Sequence, residues 1–346
     1  MPIDHLPESV TTLLAELFDQ ALAFEHTAGI EGGLPGSVVE KEIRGRRYLY
    51  WQVRKGDRTV QRYLGADEPE LRAAVDRRLA RRRDLAADRA ALDRLASMLL
   101  AGGVLREEPR AAAVLRLFAD LGLFRRGAVL VGTQAYRAYG NLLGVRLPAE
   151  SLRTQDVDLA LAFDVALADA AEPPPEVDAG LAGLGLLPVP GLDPREPSTS
   201  FKLRGRDLRV DFLTPARGKA ASGPVRLPGL GLAASPLAFL DYLLAGPVPA
   251  VVLAANPILV RVPRPGRFAL HKLWTAAKRP IVETLKAGKD RRQAAALLEV
   301  LAADRPDDLR EAWDALAGRT TARRLIEREL SRFPGELGAP GGSTRL

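Results

Sequence analysis

The residues predict an α+β chain: a basic three-stranded β-meander with a long helix, then a small mixed sheet flanked by helices, then a helical C-terminal region. Three observations carry this. Val38–Leu64 alternates in strand fashion and is punctuated at Gly45 and at Lys55-Gly56-Asp57, the chemistry of tight hairpin turns. Pro69 to Leu100 repeats apolar residues at helical spacing. Ala128-Val129-Leu130-Val131 is a short buried-strand run, whereas from Pro265 onward the pattern is helical.

In chain order, residues 8 to 28 predict a helix that stops before Gly29, Gly32 and Gly33. The meander follows as Val38–Arg44, Arg46–Arg54 and Arg58–Leu64; its middle strand sets Tyr48, Tyr50 and Gln52 on one face and Leu49, Trp51 and Val53 on the other. Between Gly36 and Leu64 eight basic and three acidic residues leave a net charge of +5, most of the excess positive charge of the chain. On the long helix Leu71, Val75, Leu79, Leu85, Leu92, Leu95 and Leu99 form a stripe away from most of the arginines, which implies a packed partner, either another helix of this chain or a second subunit in a homo-oligomer.

A helix over about Glu108 to Phe124 leads into the central sheet. Ala170–Pro175 reads as a Pro-rich turn, Val177–Leu186 as a small helix, and Thr199–Leu203 with Asp207–Leu213 as a hairpin turning at Gly205. Residues 225 to 263 read as Pro-broken strands with a helix near Leu237–Leu244, and helices are expected at about 266–279, 289–303, 307–317 and 319–331. The expected division is 1–66 for the first helix and basic sheet, 67–105 for the long helix, 106–263 for the central sheet domain, 264–332 for the helical region and 333–346 for a disordered tail.

The 346 residues carry a net charge of +7 and a pI near 9.8, which favours an anionic partner. There is no cysteine, so disulfides, thiolate metal sites and cysteine catalysis are excluded, and the widely separated His5, His26 and His271 do not suit a zinc site. The N-terminus lacks a basic region followed by an apolar core, so a cytoplasmic location is expected. Tyr242–Val260 is uncharged, but Gly246, Pro247, Pro249, Asn256 and Pro257 break it into strands or turns rather than a membrane span.

The chemistry concentrates in three aspartates. Asp156 and Asp158 lie two apart on an expected strand and so share a face, while Val157 and Leu159 enter the core. Asp211, in Leu208-Arg209-Val210-Asp211-Phe212-Leu213, sits on a later strand able to pair beside them, with Arg204, Arg206 and Arg209 as rival partners for its carboxylate. Clustered carboxylates repel unless a cation lies among them, and hard oxygen donors select Mg²⁺ or Mn²⁺. Upstream, the strand ending in Gly132-Thr133 opens a helix whose free N–H groups and dipole suit a phosphate.

The order of strand, Gly-Thr, helix, Asp-Val-Asp strand and later strand aspartate resembles the nucleotidyltransferase superfamily with the polymerase-beta-type fold. Within it the chain is most similar to bacterial stand-alone nucleotidyltransferase-like proteins and more loosely to the toxin nucleotidyltransferases of abortive-infection systems. Lys272-Leu273 and Lys289-Asp290 fit the places of two further motifs of that group. The resemblance covers roughly residues 107 to 305. Thr133 stands where Ser or Gly is more usual, and Gly132 to Asp156 is long, with Tyr139–Gly144 and Arg146-Leu147-Pro148 expected as an inserted loop.

The resemblance implies a metal-dependent transferase that moves a nucleoside monophosphate from a nucleoside triphosphate such as ATP to a hydroxyl acceptor, an RNA end or a protein side chain among the candidates. Asp156, Asp158 and Asp211 would be the catalytic residues and metal ligands, and Gly132, Thr133, Lys272 and Arg153 the nucleotide-binding residues; Asp290 would brace a cation or charge a helix N-terminus. The alternative is a non-catalytic nucleic-acid-binding protein acting through the basic sheet of residues 38–64, where cations alternate with Tyr48, Tyr50, Trp51 and Tyr63.

Overall fold

Placement of the aspartates depends on a mixed sheet built late in the chain. The computed structural model describes residues 3–31, 37–55, 58–152, 154, 156–161, 176–191, 196–216, 223–227 and 232–333. Arg153, the turn residues Gly56 and Asp57, the Pro-rich turn at 170–175 and residues 334–346 of the expected tail lie outside them. The architecture is α+β, and the chain divides into two compact units, Ala15–Met98 and Met1–Leu14 with Leu99–Leu346.

Helix α1 (Glu8–Glu31), which enters the first unit at Ala15, runs through Gly29, further than its glycines suggest. Strands β1 (Ser37–Ile43), β2 (Arg46–Lys55) and β3 (Arg58–Ala66) form an antiparallel meander in that order. Arg44 and Gly45 both take left-handed conformations, φ 54° and 75°, as a two-residue hairpin loop that follows the strand twist requires. Leu49 is fully buried on the face of β2 opposite Tyr48 and Tyr50. Helix α2 (Pro69–Ala101) holds the sheet through Arg72, whose guanidinium bridges Asp67 and Glu40. Along α2 the expected stripe is buried or half-buried, and Arg77, Arg81 and Arg83 are exposed.

The second unit opens with α3 (Pro109–Asp120), capped by the Glu108 carboxylate, which accepts the N–H groups of Arg110 and Ala111. Strand β4 (Val129–Val131) runs directly into α4 (Gly132–Leu143). The expected inserted loop at Tyr139–Gly144 is therefore mostly helix. Tyr139 is fully buried and donates to the Pro263 carbonyl at 2.8 Å, which ties that turn into the core. A single turn, α5 (Ala149–Leu152), precedes β5 (Asp156–Ala160).

Helix α6 (Val177–Gly183) and strands β6 (Leu186–Pro188), β7 (Ser200–Leu203) and β8 (Arg209–Pro215) follow, then β9 (Val225–Leu227) and β10 (Leu232–Leu237). Among the described residues the central sheet has the order β4-β5-β8-β10-β9, with β7 joining β6 to β8. The β5–β8 and β8–β10 pairs are parallel and the β4–β5 and β7–β8 pairs antiparallel, so the sheet is mixed. β9 and β10 lie in the stretch expected as Pro-broken strands, and the helix expected near Leu237–Leu244 is one turn, α7 (Leu240–Leu243), with Leu237 belonging to β10.

A hairpin of β11 (Val248–Val252) and β12 (Ile258–Val262) accounts for the uncharged stretch. Among the described residues no helix is long and apolar enough to cross a membrane. Helices α8 (Pro265–Lys278), α9 (Thr284–Asp304), α10 (Pro306–Asp314) and α11 (Thr320–Leu330) close the unit. Helix α9 starts earlier than expected, at Thr284, and carries Gly288 inside it, a modest cost that its buried Ala294, Leu297, Leu298 and Leu301 outweigh. Lys289 and Asp290 thus lie within the helix instead of opening it.

Candidate active site

The strict alternation of β5 and β8 builds the site. Val157, Leu159, Val210 and Phe212 are all fully buried, and Phe212 packs edge-on to Phe201 at 5.9 Å. Those side chains fix one face of the sheet as core, so Asp156, Asp158 and Asp211 must occupy the other. The parallel register sets Asp158 directly beside Asp211, and Asp156 beside Arg209. On the far side of β5, Val131 pairs with Asp158, which delivers Gly132 to the same carboxylate.

Gly132 has φ 64°, and a Cβ added there would stand 2.0 Å from Asp158 Oδ2. Only glycine permits both the left-handed backbone and this approach. The N-cap residue of α4 is Val131, whose apolar side chain makes no capping hydrogen bond, so the helix start beside Asp158 is suited to an anion. Beneath that turn Thr133 is buried, and its hydroxyl lies 3.4 Å from the Gln293 amide of α9, which also donates to the Ser151 carbonyl at 2.8 Å.

Charge is concentrated and incompletely neutralised. Burial, followed by Asp211 and Asp156, pushes Asp158 up to about 6, against the opposing pull of Lys272 and Arg209. Burial and Asp211 also raise Asp156, opposed by Arg209, Lys286 and Lys289. Lys289 is held below the ordinary lysine range by burial and then by Lys272. His271 is pushed down to about 3 by burial and by Lys272, so it is neutral at physiological pH and no proton donor to the site.

Two of the expected residues are engaged elsewhere. Asp211 Oδ1 accepts from Arg209 Nε at 2.8 Å and from the Ser200 hydroxyl, the arginine pairing that the sequence leaves as its rival role. Lys272 donates to Asp290 at 2.8 Å, and Asp290 also takes Arg279 Nε at 2.6 Å. Burial disfavours the Asp290 carboxylate, yet Lys272 and Arg279 hold it below the usual range, so its role is the brace and not a helix-terminal charge. Among the described residues no three His, Cys, Asp or Glu side chains converge into a ready cation site. With Asp211 turned to Arg209, the aspartates share one face without closing on a common point.

Sequence reasoning singled out the three aspartates, the Gly-Thr turn and Lys272 but gave no role to Lys286, Ser200 or Gln293. The signal for Lys286 and Lys289 was their three-residue spacing, which sets both on the helix face turned to Asp156. Gln293, one turn beyond Lys289, had none. A cavity of about 150 Å³ beside α4, lined by Val104, Leu105, Arg137 and Asn141 among others, includes none of the aspartates. Arg137 there is bound to Glu107 at 2.8 Å.

A family model described as nucleotidyltransferase matches residues 110–318, more than half of the chain, and this span includes Gly132, Thr133, Lys272, Lys289 and all three aspartates. The chain belongs to this nucleotidyltransferase family. Nucleotidyl transfer is thus its family-level activity, with a nucleoside triphosphate as the general ligand. A second match, to a domain of unknown function, covers residues 21–73. No curated protein and no solved structure matches the chain.

Proposed function

We propose that this chain is a metal-dependent nucleotidyltransferase that passes a nucleoside monophosphate from a nucleoside triphosphate to a hydroxyl acceptor, with pyrophosphate as the leaving group. The observation that carries the reading is the seating of Asp158 against Gly132, in register with Asp211. This arrangement joins carboxylates to the open N-terminus of a helix, a combination suited to a triphosphate with its counter-cation. A polymerase-beta-type fold for residues 106–263 is proposed with it, as are the likeness to stand-alone and abortive-infection transferases and the remaining segment bounds 1–66, 67–105, 264–332 and 333–346.

The donor set fits Mg²⁺ or Mn²⁺. Asp156 and Asp158 would hold the ion, with Asp211 joining once it leaves Arg209, and the bound ion would supply charge neutralisation for the phosphates. Gly132 and Thr133 present the backbone N–H groups of α4 to a phosphate, which stacks the helix dipole against its charge. Lys289 and Lys286 offset the negative charge beside Asp156, and Lys272, held in place by Asp290, does so beside Asp158. Asp211, freed from Arg209, is the base positioned to take the proton of the acceptor hydroxyl. The acceptor is taken as RNA or protein.

The test is transfer of label from an α-labelled nucleoside triphosphate by the wild type and by Asp156→Asn. One observation favours the non-catalytic alternative: the Arg209–Asp211 ion pair fills the place of a cation. That alternative predicts no metal-dependent nucleotide binding by either protein.

A further inference from the structure

We propose that the outward face of the β1–β2–β3 sheet binds single-stranded RNA. The register places Val39, Lys41, Tyr48, Tyr50, Gln52, Gln61 and Tyr63 on one side of the sheet. Tyr63 lies 6.0 Å from Tyr48 and 5.4 Å from Tyr50, ring centre to ring centre, and is 55% exposed. Lys41 Nζ stands 4.9 Å over the Tyr50 ring. Trp51, which the sequence groups with these tyrosines, pairs with Val38 and Arg62 and so belongs to the opposite side, with Leu49. Tyr63 and Lys41 are exposed and Tyr48 and Tyr50 half-buried, so the three tyrosines and the lysine form one platform opposite the buried Leu49.

Charge selects the partner. By alternation Arg46 joins Lys41 on the tyrosine side, while Glu40 and Glu42 fall on the other, where Glu40 is held by Arg72. Among the described strand residues the platform thus carries cations, amides and rings but no carboxylate, a surface complementary to phosphates and unpaired bases. A duplex cannot offer its stacked bases to such rings; a single strand can. The amides point to RNA: Gln61 accepts from Lys41 and donates to Gln52 at 2.6 Å, which fixes the amide while its second N–H and second lone pair can meet a 2′-hydroxyl, itself both donor and acceptor. This surface lies outside the nucleotidyltransferase match and needs neither metal nor nucleotide.

The test is fluorescence anisotropy of labelled oligouridylate and oligodeoxyuridylate with the full chain, in chelator and without nucleoside triphosphate, so the outcome is separate from transfer activity. The expected result is tighter binding of the RNA, about tenfold weakening by Tyr50→Leu and by Tyr63→Leu, and retention by Tyr63→Phe. Arg62→Ala, which removes a cation from the opposite face, is expected to change affinity by less than about twofold. Lys41→Met, at an exposed side chain, is expected to weaken binding and flatten its salt dependence, and it decides the matter if the leucine variants do not fold. Absent RNA binding, equal or tighter binding of the DNA, or equal losses in Arg62→Ala and Tyr63→Leu would overturn the proposal.

Discussion

Asp158 occupies the space that a side chain on Gly132 would need: an added Cβ would sit 2.0 Å from Oδ2 and 3.0 Å from Cγ of the aspartate. The backbone of Gly132 is left-handed as well, φ 64°. Gly132→Ala should therefore cost about 1–3 kcal/mol in stability and displace Asp158 from the helix start. Thermal denaturation and nucleotide titration check this. A variant that keeps both wild-type melting and wild-type nucleotide binding would show that the close approach is dispensable.

The crowding of carboxylates makes stability depend on pH in a definite direction. Asp158 is pushed from an ordinary 3.8 to about 6. A carboxyl whose folded pKa is raised stabilises fully below its unfolded pKa, and that stabilisation is lost as pH rises through the folded value. Without divalent cations the protein should lose on the order of 1–3 kcal/mol between about pH 4 and pH 7 from this group. Asp158→Asn should remove much of that slope and be the more stable protein at neutral pH; urea denaturation across the range measures both.

Asp290 is expected to matter for stability more than an ordinary helix carboxylate. Its side chain is 4% exposed and it holds both Lys272 and Arg279. Removing it leaves the part-buried Lys272 without its carboxylate while Arg279 keeps Glu283 at 2.6 Å, so Asp290→Ala should cost about 3 kcal/mol. Replacing Lys272 by Met in that background should recover part of the loss, which a double-mutant cycle in denaturant would show.

Arg209 competes with a cation for Asp211. Arg209→Met should therefore strengthen Mn²⁺ binding in the absence of nucleotide, by about twofold to fivefold if the pair is worth about 0.5–1 kcal/mol. Calorimetric titration reads this directly, and weaker binding by the variant would mean that Arg209 does not guard the site.

The legible part of the structure was the part set by period and turn chemistry. The meander, α2 and the Asp-Val-Asp strand follow from alternation or helical spacing, and burial of Val157 and Leu159 left the aspartates no other face. The uncharged stretch resolved into the β11–β12 hairpin for the reason its prolines give. Less legible were features decided by tertiary contact. The helix expected near Leu237–Leu244 shrank to Leu240–Leu243, and the loop expected at Tyr139–Gly144 is mostly the end of α4, where the Tyr139 hydroxyl reaches the Pro263 carbonyl. The Arg209–Asp211 pair was visible as one of three arginine choices, but side-chain direction alone decides among them. The roles of Ser200 and Gln293 depend on contacts with residues distant in sequence, for which no local pattern exists.

The most direct measurement of the central claim is label transfer. Purified wild type and Asp156→Asn are incubated with each α-labelled nucleoside triphosphate, Mg²⁺ or Mn²⁺, and cellular RNA or protein. Transfer by the wild type, lost in a variant that melts at or above the wild-type temperature, is the predicted result. Equal transfer by both proteins, or no transfer together with no metal-dependent nucleotide binding by the wild type, would contradict it.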